Sequence, residues 1–264
     1  MKKNTPSAEQ DIPSTCITGL IAVVGSDGTG KSTLTADLVK NLQPYRTTQR
    51  RYLGLISGED GDKIKRLPFI GLWLERRLAA KSDKTQRMSN KPPALWAALI
   101  MYGFSLWRVS NLRKVRRLAQ SGVLVISDRY PQAEISGFYY DGPGIGVERA
   151  KGWLLTRLAA REYHLYQQMA QYRPELIIRL DIDVDTAFSR KPDHSYEELK
   201  DKIAAMVRLQ YNGAEIIELD ARTPYDEVLH NALKAISAVA FPAQRTDGAL
   251  GEQCCTTTTR GKEA

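Results

Sequence analysis

The chain has 264 residues, 42% of them hydrophobic and 26% charged, which is apolar material enough for a buried core. Collagen, coiled coil and wholesale disorder are excluded by that composition. A total of 38 Lys and Arg against 30 Asp and Glu gives a formal charge of +8, so anionic partners are favoured: phosphorylated metabolites, nucleic acid or an acidic membrane surface.

Residues 1–16 are polar and aperiodic and read as a disordered tail, without the apolar run of a signal peptide. Leu20 to Val24 opens a series of short apolar runs that continues with Arg51 to Leu55, Val123 to Ile126, Leu176 to Leu180 and Glu215 to Leu219. Longer helical patterns separate them, which predicts βαβ units and a parallel sheet. After the first run, Leu34, Leu38, Val39 and Leu42 recur at i, i+4, i+5 and i+8, a stripe that faces a sheet. Lys63 to Ser121 reads as two or three helices, broken at Lys91-Pro92-Pro93 and closed at Ser121-Gly122. Within it, Ala94 to Trp107 is uncharged over 14 residues. As a helix it spans about 21 Å, short of a hydrocarbon core of about 30 Å.

Leu95, Trp96, Leu99, Met101, Tyr102 and Leu106 in this stretch are expected against the sheet or against a second copy in a homodimer. A membrane-docking face is the alternative. A second helical group, Val147 to about Gln171, offers Trp153, Leu154, Leu158 and Tyr166 as its apolar face. Residues 243–264, with a run of threonines, read as a disordered C-terminal tail, leaving 17–242 as one domain. Cys16, Cys254 and Cys255 match neither a disulfide framework nor a metal site, so a cytoplasmic location is expected.

The chemistry starts at Gly25-Ser26-Asp27-Gly28-Thr29-Gly30-Lys31-Ser32, which satisfies G-x-x-x-x-G-K-[ST] between an apolar strand and an amphipathic helix. A loop around a β-phosphate must turn tightly and aim backbone N–H groups inward, and glycines permit this without a Cβ clash. The helix that follows adds the positive end of its dipole. Lys31 is expected to bridge β- and γ-phosphates, and the Ser32 hydroxyl to ligate Mg²⁺.

Asp128 ends the strand Val123 to Ile126, at the sheet edge where open α/β folds present ligand groups. Asp181 has the same form after Leu176 to Leu180, so two carboxylates compete for the metal role. Arg129 and Tyr130 beside Asp128 favour the former, because an Arg there suits phosphate. Guanine readout through N-K-x-D is not matched, the nearest stretch being Asn90-Lys91-Pro92-Pro93, and Asp141-Gly142-Pro143-Gly144 reads as a turn. His164, His194 and His230 lack metal-ligand spacing.

Asp27-Gly28-Thr29-Gly30-Lys31-Ser32-Thr33 and Asp128-Arg129-Tyr130 together resemble the phosphate loop and the D-R-Y motif of thymidylate kinases. Arg108 and Asn111 stand where that family's substrate helix carries Arg and Gln, and Ser136-Gly137-Phe138-Tyr139-Tyr140 is similar to its S-x-x-A-Y segment. Thr186 to Lys191 resembles the approach to its lid. The resemblance covers about Gly19 to Val239 and implies a three-layer P-loop NTPase fold with a five-stranded parallel sheet flanked by helices. It further implies ATP and Mg²⁺ as cofactors and a nucleoside monophosphate, foremost dTMP, as acceptor.

On the family pattern, Gly25 to Thr33 bind the donor, Ser32 and Asp128 hold Mg²⁺, and Lys31 neutralises the transferring group. Asp27 positions the acceptor's sugar hydroxyl, while Arg108, Asn111, Arg129 and Tyr140 bind the acceptor. With Gly28 in the loop rather than Arg, the resemblance makes Arg190 the catalytic lid cation. Arg51 to Gly58 departs from the family's R-E-P-G-[GS]-T, which leaves a different small acceptor, or a non-catalytic nucleotide-binding and membrane-peripheral regulator, as further readings. No nucleic-acid recognition motif accompanies the dispersed basic residues, so no nucleic-acid partner is expected.

Overall fold

The computed structural model describes residues 14–54, 93–137 and 140–241. Five strands, β1 (Thr15–Gly25), β2 (Thr48–Tyr52), β3 (Leu124–Asp128), β4 (Tyr172–Asp181) and β5 (Ile216–Asp220), form one sheet in the order β2-β3-β1-β4-β5. Every pairing is parallel. The helices are α1 (Lys31–Leu42), α2 (Leu95–Gln120), α3 (Trp153–Ala170), α4 (Val184–Arg190), α5 (Tyr196–Arg208) and α6 (Tyr225–Ala240). A parallel sheet has both faces covered, and the central strand shows why: β1 buries Leu20 through Gly25 without interruption.

The two faces of β1 feed two cores. Ile21 and Val23 pack with Leu34 and Leu38 of α1 and with Val228, Ala232 and Ile236 of α6. Leu20, Ala22 and Val24 pack on the other side with Leu112, Val115 and Ala119 of α2 and with Tyr166 and Met169 of α3. This is the three-layer P-loop NTPase architecture, with β1 at its centre leading into α1 through the glycine-rich loop.

Several expected details change. β1 begins at Thr15, inside the stretch read as tail, because Thr15 to Ile17 pair with the start of β4. β2 lies three residues earlier than Arg51 to Leu55; it is an edge strand of polar residues, TQRRY, so no apolar run marks it. Val147–Arg149 is a single 3₁₀ turn, and α3 starts at Trp153. The buried face of α3 is Leu155, Ala159, Tyr166 and Met169, whereas Trp153 (75% exposed) and Leu154 face out. In the N-terminal half of α2, Ala97, Ala98, Met101 and Ser105 are buried, whereas Leu95, Trp96, Leu99 and Leu106 are exposed, against the expectation of a helix buried nearly all round. Among the described residues no helix is long and apolar enough to cross a membrane. The expected helices before Pro93 and both expected tails beyond Thr15 and Phe241 lie outside the described residues.

Candidate functional site

β1 delivers the glycine-rich loop at the C-terminal edge of the sheet, flanked by β3 and β4. Gly25 (φ 153°) packs so tightly that a Cβ there would stand 2.8 Å from the Leu180 carbonyl oxygen. Gly28 (φ 88°) lies under α4, where a Cβ would meet the Ala187 carbonyl at 3.1 Å. Gly30, also left-handed, precedes the first turn of α1, which carries no acidic residue to occupy its positive end. Ser26 and Thr29 are buried, and the Thr29 hydroxyl donates to the Ser26 carbonyl at 2.9 Å, holding the loop in its turn. Thr33 is exposed on α1.

The Lys31 side chain folds back over this loop and its ammonium donates to the Ser26 carbonyl. Burial, together with the nearby Arg129, pushes the ammonium down to about 7, and Asp27 only partly opposes them. An ammonium so placed has a strong affinity for a phosphate anion, which would restore its preference for the charged form.

Ser32 donates its hydroxyl to Asp128 Oδ2 at 2.9 Å, and Arg50 of β2 pairs with the same oxygen at 2.9 Å. Asp128 is buried, at the end of β3. A serine hydroxyl and a carboxylate are hard oxygen donors of the kind Mg²⁺ takes while keeping waters and phosphate oxygens as its remaining ligands, so these two residues fit that ion. Asp181, the competing carboxylate, is exposed at the end of β4 and no bond joins it to Ser32.

Asp27 occupies the middle of an ion-pair chain. Its Oδ1 accepts from Arg129 Nη2 at 3.0 Å, and its Oδ2 from the ammonium of Lys202 at 2.8 Å. Burial alone would raise the Asp27 carboxyl, but Lys202, Lys31 and Arg129 together hold it far below the usual carboxylate range. Arg129 has left-handed backbone (φ 71°) and reaches Asp141 Oδ2 at 3.4 Å with its other terminal nitrogen. Asp141, itself at φ 60°, takes Arg108 Nη2 on Oδ1 at 2.6 Å.

Arg108 and Asn111, both expected to bind the acceptor, lie on α2. Arg108 has no exposed surface. Its guanidinium donates to the carbonyls of Leu53 (2.6 Å) and Asp141 (3.0 Å), to the Tyr166 hydroxyl (3.2 Å) and to the Asp141 carboxylate. It is therefore an internal brace that fixes Asp141 and, through it, Arg129. Asn111 is half-buried one turn further along α2, without a bond to the cluster. Tyr140 is half-buried and covers Gly137, and its hydroxyl is raised by burial and by Asp201 and Glu198.

Arg190 ends α4 and donates to the carbonyls of Ala221 (3.0 Å) and Gly28 (3.4 Å), so the expected lid cation lies against the glycine-rich loop. Phe138 and Tyr139 lie outside the described residues. Arg50, Asp141 and Lys202 complete the site without having been singled out in the sequence. Asp141 was legible only as part of a turn, and nothing local marks Lys202, whose partner is 175 positions away.

The assembly combines a glycine-rich turn, the buried ammoniums of Lys31 and Lys202, a hydroxyl–carboxylate pair and a cationic wall, which suits a polyphosphate on one side and a second anion on the other. No protein-family model matches the chain. It is 72% identical over 229 residues to "Uncharacterized ATP-binding protein YghR" of Escherichia coli strain K12, covering 87% of this chain and 91% of that protein. To "Uncharacterized ATP-binding protein YghS" of the same strain it is 47% identical over 220 residues, 83% and 92% of the two chains. Identity at that level, over nearly the full length of each relative, is kinship: the chain belongs to the YghR/YghS family.

Proposed function

We propose that the protein binds Mg-ATP in the glycine-rich loop and transfers the γ-phosphoryl group to a nucleoside monophosphate, dTMP foremost, giving ADP and the nucleoside diphosphate. The observation that carries this reading is the joint geometry of the loop, Lys31 and the Ser32–Asp128 pair at 2.9 Å, with Arg129 held beside Asp27 on the acceptor side. The ATP-binding names of YghR and YghS support the donor half of it. Phosphoryl transfer asks a protein mainly for positioning and charge stabilisation, which these groups supply.

Lys31 would follow the transferring phosphoryl group, Arg129 would hold the acceptor phosphate, and Arg190 would approach from α4 over the loop. Ser32 and Asp128 would hold Mg²⁺, which would supply charge neutralisation to the phosphates. ADP release from Mg-ATP, measured with dTMP, dUMP, the other nucleoside monophosphates and thymidine, tests the reading. Selective turnover of a monophosphate that is lost in Lys31→Ala is the expected result. ATP binding without turnover of any monophosphate overturns it.

A second reading, transfer to another small acceptor, draws on β2: Arg50 is engaged with Asp128, and Arg51 and Tyr52 stand where the thymidylate kinase pattern differs. The same assay separates the two by which acceptor stimulates ADP formation.

A further inference from the structure

Lys202 has no counterpart among the residues that the motifs single out, yet it is the most deeply placed cation of α5, 5% exposed, with its ammonium on Asp27. Burying an ammonium is costly, and an apolar side chain of like length would fill the same space without that cost. Its only ion pair among the described residues is with a carboxylate inside the glycine-rich loop, and the other oxygen of that carboxylate holds Arg129. Two cations, from α5 and from the end of β3, thus converge on the two oxygens of one anion. A phosphate group offers the same spacing of charged oxygens with more charge. Across the site, Arg50, Arg108, Arg129 and Lys202 face Asp27, Asp128 and Asp141, so the cluster carries one positive charge beyond its carboxylates before Lys31 is counted.

We infer that Lys202 and Arg129 form a two-cation clamp for the phosphate of the acceptor, with Asp27 occupying the clamp until that phosphate enters. This deepens the kinase reading and rests on it: the acceptor class becomes a phosphomonoester, and an unphosphorylated nucleoside lacks the group that displaces Asp27. Displacement breaks two ion pairs to Asp27 and forms two to phosphate, so both cations stay paired. It also frees the Asp27 carboxylate to accept a hydrogen bond from an acceptor hydroxyl. The segment that brings Lys202 is seated on the loop already, since Ala187 of α4 covers Gly28 and Arg190 reaches the Gly28 carbonyl.

The test uses the full chain and the variants Lys202→Met, which keeps the stem, and Lys202→Arg, which keeps the charge. Isothermal titration calorimetry reads dTMP and thymidine binding to the ADP-loaded protein, Mg-ATP binding to the free protein, and steady-state turnover where it exists. A charge-assisted bond to phosphate is worth about tenfold or more in affinity. Lys202→Met is therefore expected to weaken dTMP, and raise its KM, by about tenfold or more, with Mg-ATP affinity close to wild type and thymidine unaffected; Lys202→Arg recovers most of the loss.

Equal dTMP affinity in wild type and a folded Lys202→Met overturns the clamp, as does a loss confined to Mg-ATP. Failure of the wild type to bind dTMP, dUMP, AMP or GMP while it binds Mg-ATP overturns it too. If dTMP binds in a Lys202-dependent way but no monophosphate is phosphorylated, the kinase reading falls and the clamp stands.

Discussion

Replacing Arg108 by Met removes a guanidinium that has no exposed surface and keeps the apolar stem. The change leaves the Leu53 and Asp141 carbonyls without the donors now at 2.6 and 3.0 Å, and leaves the buried Asp141 carboxylate with Arg129 alone, at 3.4 Å. Breaking one partner of a buried ion pair costs about 3–5 kcal/mol. For a domain of this size each kcal/mol lowers Tm by about 2–4 °C, so a fall of about 6–20 °C is expected.

Urea unfolding of wild type and variant at pH 7 measures the difference directly, with the midpoint shifting and the slope unchanged. Its pH dependence has a fixed sign. Burial opposes ionisation of Asp141, but Arg129 and Arg108 outweigh it and hold the carboxyl below its ordinary 3.8. The stabilisation is then complete above 3.8 and is lost as pH falls through the lower folded value, so the two proteins converge in acid. A loss under about 1 kcal/mol, accompanied by a raised KM for the acceptor, would refute the brace and return Arg108 to the substrate-binding role that its sequence position suggests.

Gly142→Ala tests the turn that carries Asp141: a Cβ there would stand 2.0 Å from the Ile135 carbonyl oxygen, backbone that cannot rotate away. A loss of about 1–3 kcal/mol in urea unfolding is expected, and wild-type stability would show that the turn is not packed as described. Lys31, pushed down to about 7 chiefly by burial, holds fewer protons in the folded than in the unfolded chain between there and 10.5. Nucleotide-free stability therefore gains from this group as pH rises through that window. Phosphate binding reverses the shift and takes up a proton. Calorimetry of ADP binding at pH 8 in two buffers of different ionisation enthalpy should show that uptake in wild type and not in Lys31→Arg, and buffer-independent heats would refute it.

How far the sequence carried the reading depended on whether a feature was local. The glycine-rich loop and the D-R-Y triplet are contiguous, and the central strands advertise themselves as unbroken apolar runs because both of their faces are buried. The edge strand β2 has no such run, so the leucines just beyond it drew the expected strand three residues too far. The buried face of α3 was misplaced at its start for a related reason: three apolar residues open the helix in a row, and it turns Leu155 and Ala159, not Trp153 and Leu154, inward against Ala98 and Met101 of α2. Lys202 and Asp141 acquire their roles only through partners far along the chain, and a lone Lys on a charged helix or an Asp in a D-G-P-G turn has no local mark.

The ion-pair chain Lys202–Asp27–Arg129–Asp141–Arg108 treats its two clamp cations unequally, and the inequality follows from burial. Arg129 is shared: when Asp27 lets go, Asp141 still holds it, and Asp141 is in turn fixed by the fully buried Arg108. Lys202 has Asp27 alone among the described residues, so its position is set by where α5 sits on the loop. One arm of the clamp is thus built into the core between α2 and the sheet, while the other is carried by the α4–α5 segment. A phosphate that needs both arms would bind tightly only when that segment is seated on the glycine-rich loop, which ties acceptor capture to enclosure of the donor site.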